Sequence, residues 1–138
     1  MKTLEDRCNA IEECYEFMLA YAAQGLTTEA GEGKGAQVRG FLEGALRALG
    51  DLADAYAAAV KQEGLTPVAP YMAFLGVLDR DAKDSQAAVE LVLAQPAISS
   101  QLIDNLNASI HLRALLTDLF LIDEILKLHN ASKPATAS

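Results

Sequence analysis

From 100 to 129 the chain repeats apolar residues at spacings of three and four. Leu112, Leu115, Leu119, Ile122 and Leu126 fall on one line when about 100° is allowed per residue. A second set, Ile110, Ala114, Leu121, Ile125 and Leu128, lies well round the cylinder from the first. A helix apolar on most of its circumference is expected at the centre of a fold, because each face must be buried against something. Arg113, Asp118, Asp123, Glu124 and Lys127 interrupt the stretch well short of the roughly 18 uncharged residues of a membrane span. A core helix over 99–129, begun by Ser99 or Ser100, is therefore expected, followed by a small polar tail over 130–138 that is too poor in apolar residues to fold.

Three further helices are expected before it. Thr3 and Asp6 have the spacing of a capping box, and Leu4, Cys8, Ile11, Tyr15, Met18 and Ala22 continue as a stripe, giving a helix over 3–24 ended by Gly25. Gly31, Gly33 and Gly35 then lie in a polar connection with no period, expected to be mobile over 31–35. Val38, Leu42, Ala45, Leu49, Leu52, Tyr56 and Ala59 predict a helix over 36–63, stopped by Gly64. Gly40, Gly44 and Ala48 leave a smooth strip on it, where another backbone is expected to approach closely. Thr66 and Pro67 read as an N-cap and a first helical residue. Val68, Tyr71, Leu75, Leu78, Ala82, Ser85, Val89 and Val92 then carry one helix over 67–94, straight through the charged cluster at 79–84.

Short connections between long helices force antiparallel neighbours, so the expected fold is all-α: one up-down-up-down four-helix bundle over 1–129. Abundant Ala and Leu, few aromatics and no Trp favour helix over strand. A chain of 138 residues buries enough surface to need no disulfide or metal.

Nineteen acidic residues against 11 basic give a net charge of −8, which opposes both nucleic acid and an anionic membrane surface. The N-terminus lacks the apolar run of a signal peptide, so a cytoplasmic protein is expected, with Cys8 and Cys14 as small buried thiols.

Chemistry is sparse. Asp104, His111 and Asp118 recur every seven residues, but successive members of such a row stand about 10 Å apart, too far to share one ion unaided. Glu12 and Glu16 lack the Glu-x-x-His pairs of di-iron bundles, and the chain has only two histidines. Lys34 and Arg39 at the start of a helix are placed to hold an anion. No catalytic residue, metal or cofactor is assigned. The leading reading is a non-enzymatic helical accessory or adaptor protein acting through protein contacts. A second reading is a bundle that binds a small ligand or metal between its helices, using Tyr15, Tyr21, Tyr56 or Tyr71 with His111; an enzyme of unknown class comes third. The doubly apolar last helix further predicts a homodimer with Ile110, Leu121, Ile125 and Leu128 at its interface.

Overall fold

Six helices and no strand are present among the described residues of the computed structural model, which are 3–25 and 34–132, with side chains over 3–25 and 37–130. They are α1 (Leu4–Ala23), α2 (Lys34–Leu49), α3 (Leu52–Gln62), α4 (Val68–Leu93), α5 (Ser100–Ala108) and α6 (His111–Ser132). The fold is all-α. No helix among the described residues is long and apolar enough to cross a membrane. Most of the connection expected to be mobile, and the chain beyond 132, lie outside the described residues, whereas 130–132 is the last stretch of α6 rather than tail.

α1 starts where its capping box dictates: the Asp6 amide donates to Thr3 Oγ1 at 3.1 Å and the Thr3 amide to Asp6 Oδ2 at 3.2 Å. Its stripe of Cys8, Ile11, Cys14, Met18 and Tyr21 is buried. Phe17 widens that face by stacking on Phe41 of α2, ring centres 4.4 Å apart. α4 runs unbroken through 79–84 because Leu78, Ala82 and Ser85 stay buried across the charged cluster. It begins one residue later than expected: Pro67, after a cis Thr66–Pro67 bond, is the N-cap, and the helix starts at Val68.

Two expected helices are broken. The one predicted over 36–63 turns at Gly50 and Asp51, where Asp51 takes a left-handed conformation at φ 54°. A short polar side chain tolerates that region better than most. The turn frees the last carbonyls of α2, and Arg7 of α1 fills them: its Nε donates to Ala48 O at 3.1 Å and its Nη2 to Gly50 O. α2 therefore packs on α1 and α4, while α3 swings away to pack on α4.

The helix predicted over 99–129 breaks at Ser109 and Ile110. Ser109 closes α5 by donating its amide to Asn105 O at 3.0 Å, and Ile110 sits at φ 63°. A β-branched residue there costs about 1–2 kcal/mol. The bend sends α5 against α1 and α6 against α4. This stretch is consequently not the centre of the fold; that role falls to α1 and α4, since every other helix packs against one or both of them. α6 buries one face only, through Leu112, Leu115, Leu116, Leu119 and Ile122.

The glycines on α2 do not serve close approach. A Cβ built on Gly40 would meet nothing within 4 Å, and one on Gly44 only the end of Arg47 at 3.7 Å. Gly64 is different. It lies at φ 63° after α3, with its amide bonded to Lys61 O and the Leu65 amide to Val60 O, a Schellman closure that also buries Leu65. Gly40→Ala should therefore raise stability by up to about 1 kcal/mol through helix propensity. Gly64→Ala should lower it by about 1–2 kcal/mol through left-handed strain. Urea denaturation checks both; a loss on Gly40→Ala would mean that something covers that strip.

Candidate contact face

No charged residue stands between Glu63 and Asp79, and α4 begins inside that run. At 100° per residue only Leu75 and Leu78 of this half point fully inward, which leaves the rest of the apolar run outside. Val68 is 52% exposed, Met72 40% and Val77 41%, with Pro67, Ala69, Pro70 and Ala73 exposed beside them. The neighbouring edge of α6 adds Leu121 at 51% and Leu128 at 61%, while Ile125 is half-buried. Between the two helices lies a cleft of ≈ 360 Å³ lined by Pro70, Tyr71, Phe74, Leu121 and Ile125. On the other flank of α4 a second apolar cleft of ≈ 650 Å³ runs against α3, lined by Val60, Leu65, Val68 and Met72. The first half of α4 is thus an apolar ridge between two apolar clefts.

Leu121, Ile125 and Leu128, expected at an interface, belong to this face. Ile110 is also exposed, at the α5–α6 bend. The α4 half of the face was not foreseen, because Val68 and Tyr71 were assigned to the core stripe; the unbroken absence of charge was the signal.

The polar residues form two separate groups. In the first, the Tyr56 hydroxyl on α3 donates to Asp123 Oδ1 of α6 at 2.6 Å and lies 3.0 Å from Cys8 Sγ of α1. The phenol has one proton, already given to Asp123, so the thiol must donate to the phenol oxygen. Burial pushes the Tyr56 hydroxyl upward, and its bonds to Asp123 and Cys8 add to the shift. Burial also pushes Cys8 up to about 11 and Cys14 up to about 12. Both thiols stay protonated near neutrality, and the thiolate is the nucleophile, so neither is poised for chemistry.

In the second group, Asp118 of α6 faces Asp81 of α4. Burial first, and then the neighbouring carboxyl of Asp81, raise Asp118 to about 7. Its Oδ2 is buried without a hydrogen-bond partner.

The remaining candidates are scattered. Tyr21 donates to Ile98 O at 2.6 Å, and Ser100 Oγ returns a bond to Tyr21 O at 2.6 Å, tying the end of α1 to the start of α5. Tyr15 is half-buried on α1, and Tyr71 lines the α4–α6 cleft. None of the four tyrosines lines the cleft that holds His111. That cleft, of ≈ 560 Å³, lies between α4 and the α5–α6 bend, with Asp84, Asn105 and Ser109 at its edge. The bend also dismantles the expected row: Asp104 is exposed on α5, while His111 opens α6. Arg39 donates to Leu93 O at 3.2 Å and Gln95 O at 2.9 Å, where it closes the end of α4. The Lys34 side chain lies outside the described residues. Among the described residues, no group of three His, Cys, Asp or Glu side chains is placed to hold a metal. No family model, curated protein or solved structure matches this chain.

Iodoacetamide at pH 8 should leave Cys8 and Cys14 unmodified in the native protein and alkylate both in urea, read by intact mass. Tyr56→Phe should cost about 1–3 kcal/mol by stranding Asp123 and the thiol, and should make Cys8 the more easily alkylated of the two.

Proposed function

We propose that this protein is a non-enzymatic helical accessory or adaptor, acting through contact, and that it pairs with a second copy of itself. One observation carries this reading: the apolar face built by the uncharged first half of α4 and the outer edge of α6. Soluble monomers seldom leave a contiguous apolar patch much larger than about 300–600 Å² in water. A twofold partner offers the same patch in return. With a net charge of −8, two copies repel over most of their surfaces, and the charge-free first half of α4 is where they meet with least opposition of like charges. In this reading α2 with α3, and α5 with α6, act as two bent rods beside α1 and α4, a four-rod bundle with two bends. Two buried thiols and no disulfide among the described residues fit a reducing, cytoplasmic setting.

Binding of a small ligand is the second reading. It is favoured by the cleft at His111, where Ala88, Leu91, Val92 and Leu102 supply an apolar wall and Asp84 and Asn105 a polar rim. Native mass spectrometry of purified protein separates the two, since a stoichiometric small molecule on a single chain supports the ligand.

Light scattering after size exclusion should give twice the chain mass of 14.7 kDa at micromolar concentration. Leu121→Glu or Ile125→Glu should return it to the single-chain mass, while Glu12→Ala on α1 should leave the dimer intact. A wild-type protein at 14.7 kDa throughout would end the dimer.

A further inference from the structure

The second half of α4 carries a stripe that its neighbours leave open. Asp84, Ala88 and Leu91 follow one another at spacings of four and three, so they share one line on the helix and span about 10 Å along its axis. Leu91, at the far end, is 66% exposed, more than any other large apolar residue among those described. Across from the stripe, Leu102 of α5 and then Ser109 and His111 of the α5–α6 bend complete the lining of the ≈ 560 Å³ cleft. The bend holds strain, since Ile110, between those two polar residues, takes the left-handed conformation at φ 63° that β-branched residues avoid. Strain of this kind gathers where a backbone positions groups for use.

The rim of this cleft carries a negative charge and spare acceptors. No described residue forms an ion pair with Asp84; Lys83 beside it is held by Asp79 at 2.8 Å. Ser109 Oγ donates its hydrogen to Leu106 O at 2.5 Å and so faces a ligand with lone pairs alone. In its neutral form the His111 ring offers one more lone pair. Asn105 is tied along α5 by Gln101, whose Nε2 donates to its Oδ1 at 3.1 Å. No described Lys or Arg lines the cleft, so an anion there would meet Asp84 with nothing to offset it. A cation meets the opposite situation, and the net charge of −8 raises its concentration near the surface. The rest of the wall is apolar, through Ala88, Leu91 and Leu102.

The geometry points to this cleft as a site for a small amine, a primary ammonium group at one end of an unbranched apolar body: the ammonium sits at Asp84 and the body lies along Ala88 and Leu91, against Leu102. The inference rests on the small-ligand reading of the cleft and names the class of ligand. An ammonium group has three donors for the acceptors of the rim, and the apolar body covers the leucine that the fold leaves in water. The charge at one end of the stripe and the bare Leu91 at the other set the length of the molecule, which an extended octyl chain matches. Binding here leaves pairing free, because Asp84, Ala88 and Leu91 lie on the half of α4 away from Val68 and Met72.

Calorimetric titration of the full chain with octylammonium, octan-1-ol and octanoate tests this. One octylammonium should bind per chain. The alcohol should bind about fivefold more weakly, the upper end of what an exposed ion pair contributes, and octanoate more weakly still. Hexylammonium should lose about tenfold for its two missing CH₂ groups. In Asp84→Asn, an exposed position where folding is not at stake, octylammonium should fall to the affinity of the alcohol, and the alcohol should bind as before. Hydroxyl-radical footprinting with octylammonium should protect Leu91 and leave Met72 unchanged. Equal affinity for the amine and the alcohol, or an amine affinity that Asp84→Asn leaves intact, would overturn the amine while keeping an apolar ligand in the cleft. Protection of Met72 in place of Leu91 would overturn the site, and no binding of any probe would end the small-ligand reading with it.

Discussion

Arg7 donates its guanidinium to the carbonyls of Ala48 and Gly50, and Arg39 donates to those of Leu93 and Gln95. Each closes the end of a helix other than its own, where a stopped helix leaves carbonyls without partners. Arg7 makes the turn at Asp51 tolerable, and that turn sends α3 onto α4 instead of along α1. Arg39 ties the far end of α4 to α2. With its second half covered by α2 and α5, α4 has only α3 and α6 to cover its first half, and both leave clefts beside it. The open apolar face follows from where these two side chains pin the helix ends.

Much of this arrangement was legible in the chain. The capping box at Thr3, the left-handed glycines at 25 and 64 and the stripe of α4 through 79–84 all express local rules that the structure obeys. The two bends were not. Leu49 and Leu52 keep helical spacing across the first bend, so the apolar period runs on while the backbone turns; the sign of it was the Gly50 and Asp51 pair, both common turn residues. The second bend had no sign at all, since a β-branched residue such as Ile110 is among the last expected in the left-handed region. Long-range donors such as Arg7 leave no trace in periodicity either, because their acceptors are main-chain carbonyls more than 40 residues away.

The candidate site was half legible for the same reason. Periodicity separates a second apolar set on the last helix, and Leu121, Ile125 and Leu128 do lie on the open face. It does not say how far neighbouring helices reach, so Val68, which keeps core spacing, is exposed, while Tyr56 meets Cys8 and Asp123 from three different helices. That chain has a donor for every acceptor it uses, whereas the buried Oδ2 of Asp118 has no hydrogen-bond partner.

The central claim is that the face shared by α4 and α6 is the one the protein uses. Hydroxyl-radical footprinting of the full chain, at concentrations below and above its self-association, reads this side chain by side chain. Met72, Leu121 and Leu128 should lose reactivity on association, while Leu19 and Leu91, equally open on other surfaces, should not. Protection of Leu19 or Leu91 instead, or no change at any of the five, would contradict it.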